Sequence, residues 1–143
     1  MNYSNQNGCF VVEPLEALKA GNHICSHHNP NFLQNGHCKF SVQKDGNIVA
    51  YSTHHGQHKA IWASNSNGKG RAPYYFCLQE DANMVLYDQD HKCVWSSGSY
   101  GHGANSVLRA QDDGNVVLYN SAGKAIWATG TWKYEVSQHY GQG

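Results

Sequence analysis

Three stretches of this chain follow one template. Gln43-Lys44-Asp45-Gly46-Asn47-Ile48-Val49-Ala50-Tyr51 recurs as Gln79-Glu80-Asp81-Ala82-Asn83-Met84-Val85-Leu86-Tyr87, and again as Gln111-Asp112-Asp113-Gly114-Asn115-Val116-Val117-Leu118-Tyr119. All three read Q-x-D-x-N-x-V-x-Y. Each is followed by a tryptophan in a similar setting: Ile61-Trp62, Val94-Trp95 and Ile126-Trp127. The glutamines lie 36 and then 32 residues apart, and the tryptophans 33 and then 32. A period of this length describes one supersecondary unit made three times. Such a unit cannot bury its apolar face alone, so the copies must pack on one another.

The unit is a β unit. Apolar and polar residues alternate within it, as in half-buried strands. Turn pairs separate the strands at Asp45-Gly46, Asn67-Gly68, Asp113-Gly114 and Ala122-Gly123. Leu15, Leu18 and Lys19 hint at a short helix, but Pro14 and Gly21 bracket them closely. We read Leu15 to Ile24 as a first strand pair instead. Residues 10 to 42 are expected to supply outer strands to the first sheet, with a long loop from Cys25 to Gly36. Residues 130–136 alternate like one more strand. The expected architecture is all-β: three antiparallel sheets around a pseudo-threefold axis, with Trp62, Trp95 and Trp127 packed centrally. At 143 residues the chain suits one domain, 1–143.

The template has the form of a pocket. A straight strand would spread Gln43 to Tyr51 over roughly 27 Å, too far to hold one small molecule. The Asp45-Gly46-Asn47 stretch is turn chemistry and can fold the segment back on itself. Gln43 and Tyr51 then approach each other, with Asp45 and Asn47 at the bend. Ile48 and Ala50, Met84 and Leu86, and Val116 and Leu118 fall on the opposite face and should form the core. Val49, Val85 and Val117 are then apolar residues left exposed on the wetter face. Carboxylate, amide and phenol together supply the mixed donors and acceptors that neighbouring sugar hydroxyls need, and the valine can meet the C–H face of a ring. The motif holds no nucleophile beside a base and no second carboxylate at glycosidase spacing, so it is built to hold, not to react.

Composition narrows the partners. Lys+Arg and Asp+Glu both count 10, giving a formal net charge of zero. A nucleic-acid partner would need a basic stripe. No apolar run approaches the ~20 residues that cross a bilayer, so no membrane insertion is expected. Met1 to Gln6 lack the pattern of a signal peptide, which leaves the cytoplasm, an unconventional route outside the cell, or a leader already removed. Asn2-Tyr3-Ser4 has the form of a glycosylation acceptor, but carries little weight without a secretory route. Five cysteines cannot all pair within one chain. Cys25 with Cys38, and Cys77 with Cys93, could sit near each other, and buried thiols are the equal alternative. His27, His28 and His37 lie near Cys25 and Cys38, and His54, His55 and His58 form a second group. His54 and His58 match half of a zinc pattern with no partner half. We therefore expect no metal and no cofactor.

These residues resemble one family, the bulb-type, snowdrop-like mannose-binding lectins, which has homologues beyond plants, including lectins of fish skin and mucus. The resemblance runs from about Leu15 to Trp132. It implies the β-prism II fold, three four-stranded sheets with one mannose pocket on each. It implies that Asp45, Asn47, Asp81, Asn83, Asp113 and Asn115 bind the axial 2-hydroxyl of mannose. Gln43, Gln79 and Gln111 would take the 3-hydroxyl, and Tyr51, Tyr87 and Tyr119 the 4-hydroxyl. Val49, Val85 and Val117 would meet the C3–C4 edge. It further implies a non-enzymatic lectin that binds mannose-rich glycans multivalently, and a homodimer exchanging C-terminal strands through Trp127 to Trp132. Plant members commonly place a cysteine between the Asp and Asn of one repeat, where this chain has Gly46, Ala82 and Gly114. The alternative function is a protein-binding module on the same fold, working through the Cys25–Cys38 or His54–His58 loops.

Overall fold

The computed structural model describes residues 16–132. Twelve short strands run through them: β1 (Ala17–Lys19), β2 (His23–Cys25), β3 (Phe32–Gln34), β4 (Cys38–Val42), β5 (Ile48–Ser52), β6 (Lys59–Ala63), β7 (Tyr75–Leu78), β8 (Met84–Tyr87), β9 (Cys93–Ser96), β10 (Val107–Ala110), β11 (Val116–Tyr119) and β12 (Ala125–Ala128). They form three four-stranded antiparallel sheets, β3-β4-β5-β6, β2-β7-β8-β9 and β1-β10-β11-β12. Each motif becomes one hairpin: its turn joins the second and third strands of a sheet, and its tryptophan lies on the fourth.

The registers repeat. On the inner face Leu33, Phe40, Ala50 and Trp62 form one row across the first sheet. Ile24, Phe76, Leu86 and Trp95 form the matching row of the second. Leu18, Leu108, Leu118 and Trp127 complete the third. The strand residues of these rows join one buried cluster, and the three tryptophans pack against it. Trp62, Trp95 and Trp127 meet pairwise edge to face, with centroids 5.5 to 6.1 Å apart. That geometry sets the positive edge of each ring against its neighbour's negative face, worth about 0.5–1.5 kcal/mol per pair beyond area burial. The expected apolar face is the core: Ile48, Ala50, Met84, Leu86, Val116 and Leu118 are fully buried.

The N-terminal segment departs from expectation. Its three strands do not gather on the first sheet. Strand β1 closes the sheet of the third motif, β2 that of the second, and β3 that of the first. Leu15 to Ile24 is therefore not a strand pair, because β1 and β2 pair with different sheets. The physical reason is the open edge. Each three-stranded repeat has an open edge at its first strand, and the segment covers that edge in all three in turn, Gly21 taking the left-handed bend between β1 and β2 (φ 90°). The Cys25–Gly36 stretch is likewise no single loop, since β3 sits inside it.

Of the two alternatives for the cysteines, the Cys25–Cys38 and Cys77–Cys93 pairs do not form. Cys25 is disulfide-bonded, but Cys38 is a thiol whose Sγ donates to the Gln111 carbonyl at 3.5 Å. Cys77 and Cys93 are thiols too, separated by β8. Strand β12 pairs within its own sheet, Trp127 opposite Leu118. Residues 133–136 of the expected last strand lie outside the described residues, as do Cys9 and Asn2-Tyr3-Ser4.

Candidate functional site

Each motif turn is closed the same way. The Gln43 amide donates to the Asn47 carbonyl at 2.9 Å, and the Gly46 amide to the Gln43 carbonyl at 3.1 Å. The Gln79 and Gln111 turns repeat both bonds. The third bend position is left-handed in all three: Gly46 at φ 89°, Ala82 at 77° and Gly114 at 87°. Each aspartate fixes its own bend. Asp45 Oδ1 accepts from the Asn47 amide at 2.9 Å, Asp81 from Asn83 at 2.9 Å, and Asp113 from Asn115 at 3.0 Å.

The far ends of the motif meet as expected. Gln43 Nε2 donates to Tyr51 Oη at 2.6 Å, and Gln79 to Tyr87 at 2.6 Å. Gln111 bonds Tyr119 in the same way. A further device helps to aim the tyrosine. In every sheet the register shifts at this point, between Ala50 and Tyr51, Leu86 and Tyr87, and Leu118 and Tyr119. The extra residue is Ile61, Val94 or Ile126 on the fourth strand. Such a bulge bends the strand and re-aims the side chains around it.

The asparagines are held by residues the template did not include. Asn47 Oδ1 accepts from Ser64 Oγ and the Ser66 amide, both at 3.2 Å. Asn83 Oδ1 accepts from Ser97 Oγ at 3.3 Å and the Ser99 amide at 3.1 Å. Asn115 Oδ1 accepts from Thr129 Oγ1 and the Thr131 amide at 3.1 Å, and from the Gly130 amide at 3.0 Å. The second hydroxyl of each clamp bonds the turn itself: Ser66 to the Gly46 carbonyl, Ser99 to Ala82 and Thr131 to Gly114, at 2.6–2.8 Å. The signal for this clamp was in the sequence, as a hydroxyl residue two and four places after each tryptophan.

These internal bonds decide what is left to offer. The asparagine oxygen is occupied, so its amide nitrogen faces outward as a donor. The aspartate keeps its second oxygen as an acceptor. The glutamine keeps Oε1, and the tyrosine, having accepted, can still donate. Each motif thus leaves both donors and acceptors unused.

The valines need correction. Val49, Val85 and Val117 are buried, only 4–6% exposed. They lie between Asn and Tyr on the outer face, flanked in the ladder by Ser41 and Ala63, Cys77 and Ser96, or Arg109 and Ala128. The Gln–Tyr bond reaches across the same row, so only a small apolar floor remains. Those flanking positions differ between pockets. Tyr51 carries His58 stacked 4.1 Å away. Beside Tyr119 a groove of about 510 Å³ opens between Arg109, Asn120 and Ser121. The residues after Tyr87 close inward: backbone amides of Lys92, Asp90 and Arg71 hold the buried Asp88 carboxyl below its usual range.

The histidine groups meet at one point, where His37 Nδ1 and His54 Nδ1 are 2.8 Å apart. Among the described residues no group of three or more His, Cys, Asp or Glu is arranged to hold a metal ion.

The fold overlays on a monomeric mannose-binding lectin of the monocot Gastrodia elata with a TM-score of 0.71 and 34% identity, covering 81% of this chain and 97% of that one. The chain belongs to the monocot mannose-binding lectin family. The mannose-specific snowdrop agglutinin, solved with methyl-α-D-mannoside, matches at a TM-score of 0.64 and 35% identity over 81% of this chain and 96% of its own. These lectins share the β-prism seen here, and the comparisons group this chain with sugar-binding lectins and not with enzymes. Among curated proteins, a putative lectin of Acanthamoeba polyphaga mimivirus is 38% identical over 69 residues, 48% of this chain and 34% of its own length. A mannose-specific lectin of Narcissus pseudonarcissus is 43% identical over 56 residues, 39% of this chain and 47% of its own. The matched region spans a third to a half of those relatives. No family model matches the chain.

Proposed function

We propose that this member of the family binds mannose and mannose-rich glycans through three pockets, Gln43–Tyr51, Gln79–Tyr87 and Gln111–Tyr119. The observation that carries the reading is the triplicate of turn, clamp and Gln–Tyr bond, which leaves the same unused donors and acceptors in each repeat. Asp and Asn at the bend offer an acceptor beside a donor, the pair that a 2-hydroxyl can satisfy together. Gln takes the 3-hydroxyl and Tyr the 4-hydroxyl, with the buried valine as the apolar floor. Nothing in this set attacks or transfers a proton, so the sugar is held unchanged.

One such shallow site binds weakly, with a Kd around 1 mM. Three sites on three sheets gain strength by engaging one glycan surface together, by roughly 10² to 10⁴ where the spacing fits. Two chains would add further sites. The segment to Thr131 clamps its own third pocket, so a strand-exchanged dimer would have to rebuild that clamp in trans, and sedimentation would show whether it forms. The test of binding is calorimetric titration with methyl α-mannoside against its 2-epimer, methyl α-glucoside. We expect millimolar heat from the mannoside alone, at about three sites per chain. A folded sample silent to both would end this reading.

A further inference from the structure

The three pockets are alike in their hydrogen bonds and unlike in charge. At the position facing the floor valine, the first pocket has Ser41 and the second Cys77; the third has Arg109. Arg109 is exposed on the outer face. Among the described residues no carboxylate lies within salt-bridge distance of it. It lines the groove of about 510 Å³ that continues from Gln111 and Tyr119 past Asn105, Asn120 and Ser121. Arg109 is the only charged residue lining that groove. A second cation stands nearby, since Lys19 pairs with Val107 on the same face. The first pocket has Lys39 near its tyrosine, but that ammonium sits over the Phe32 ring at 4.2 Å. Only the third pocket therefore combines room, unused hydrogen-bonding groups and an uncommitted guanidinium.

We propose that the third pocket selects mannose carrying an oxyanion at C6, a phosphate ester or a carboxylate, with Arg109 as the specificity-determining residue. This rests on the mannose reading above. With the 4-hydroxyl at Tyr119, the neighbouring C5 substituent projects past the phenol toward the groove. A guanidinium fork matches phosphate and carboxylate geometry. Asn120 and Ser121 offer further polar partners. The ion pair is exposed and open to salt, so the gain is modest, roughly twofold to fivefold at low ionic strength.

The test is a ¹H–¹⁵N titration of the whole chain, in which the amides of Gly46, Ala82 and Gly114 each report one turn. The probes are methyl α-mannoside, mannose 6-phosphate, methyl α-mannuronoside, glucose 6-phosphate and inorganic phosphate. At low salt, mannose 6-phosphate should move Gly114 with a Kd about twofold to fivefold below that for methyl α-mannoside, while Gly46 and Ala82 show no preference. The mannuronoside distinguishes a carboxylate from a phosphate source. High salt should erase most of the preference, and R109S should bring the Gly114 ratio down to that of the other turns. Equal affinities at Gly114, a preference that survives R109S, or an equal response to glucose 6-phosphate or bare phosphate would overturn the proposal. Silence toward methyl α-mannoside at all three turns would instead remove the mannose reading beneath it.

Discussion

The first and third pockets are shaped by the same set of bonds, with one extra amide on the third asparagine, and share almost nothing that surrounds them. Both have the Asx turn, the hydroxyl clamp and the Gln–Tyr bond. Yet Tyr51 is covered on one side by His58, while Tyr119 borders an open groove with Arg109. The shaping bonds run between the motif hairpin and the residues just after its tryptophan strand, so each repeat carries them along together. The surroundings come from the preceding strand and from loops of unequal length, which are free to differ. Monosaccharide recognition should therefore be equal across pockets, and discrimination among larger or charged glycans should lie in the flanks.

The largest expected effect would break the likeness at its centre. Asn115 is buried at 8% exposure and its Oδ1 gathers three donors. Asn115→Ala would leave the Gly130 and Thr131 amides without that acceptor, at a cost of about 2–4 kcal/mol. Asn47→Ala, where the accepting oxygen serves two donors, should cost less. Urea denaturation of the two variants measures the difference; an equal loss would mean the clamps are energetically alike despite their geometry.

The turns provide a sharper contrast of opposite sign. Gly46 and Ala82 occupy the same left-handed bend. A Cβ at Gly46 would lie 2.8 Å from the Tyr74 ring, so Gly46→Ala adds a clash to the backbone strain and should cost about 1–3 kcal/mol. Ala82→Gly relieves strain at the equivalent place and should be neutral or stabilising by up to about 1 kcal/mol. Thermal melts of both variants give the signs directly. Destabilisation by Ala82→Gly would show that the second turn has adapted to its alanine.

How much of this could be read in the chain follows from what repetition reveals. The five template positions were legible because they recur at fixed offsets, and the Asp-Gly-Asn signature gave the bend that brings Gln to Tyr. The core rows were legible from alternation, and the tryptophan triad from its spacing. The hydroxyl clamp was present as Ser64 and Ser66, Ser97 and Ser99, and Thr129 and Thr131, but serine and threonine near a turn have many local uses. The bulges were signalled by the doublets Ile61-Trp62, Val94-Trp95 and Ile126-Trp127, adjacent apolar residues that strict alternation would have sent to opposite faces. What alternation could not give was the destination of β1, β2 and β3. A three-residue strand carries too little pattern to choose among three similar edges. Alternation puts the valines on the outer face but does not show the neighbouring strands, whose Ser41 and Ala63, or Arg109 and Ala128, flank and cover them.

Smaller effects test whether the pockets are equal for a single sugar. Tyr51→Phe and Tyr119→Phe remove the same hydroxyl, and with it a net contribution of about 0.5–1.5 kcal/mol, or roughly twofold to tenfold in affinity. Methyl α-mannoside titrations followed at Gly46 and Gly114 should show matching losses. A much smaller loss at Tyr51 would mean that the His58 stack already limits that hydroxyl, and the first pocket would then be unequal even for the simplest ligand.

The second pocket yields the smallest effect, and a chemical one. Cys93 is exposed and faces Tyr87 in the ladder, whereas Cys77 faces Val85. Burial pushes the Cys77 thiol up to about 11. The thiolate is the reactive form, so at pH 8 only about one part in a thousand of Cys77 is reactive. Its alkylation rate should rise about tenfold per pH unit until the pH nears 11. Iodoacetamide at pH 8 should therefore label Cys93 first, which peptide mass mapping would show, and the added group beside Tyr87 should weaken the second pocket while the Gly46 and Gly114 titrations stay in place. Faster labelling of Cys77 would mean that β7 opens readily to solvent. The second pocket would then differ from its neighbours in the stability of its sheet as well as in its flanks.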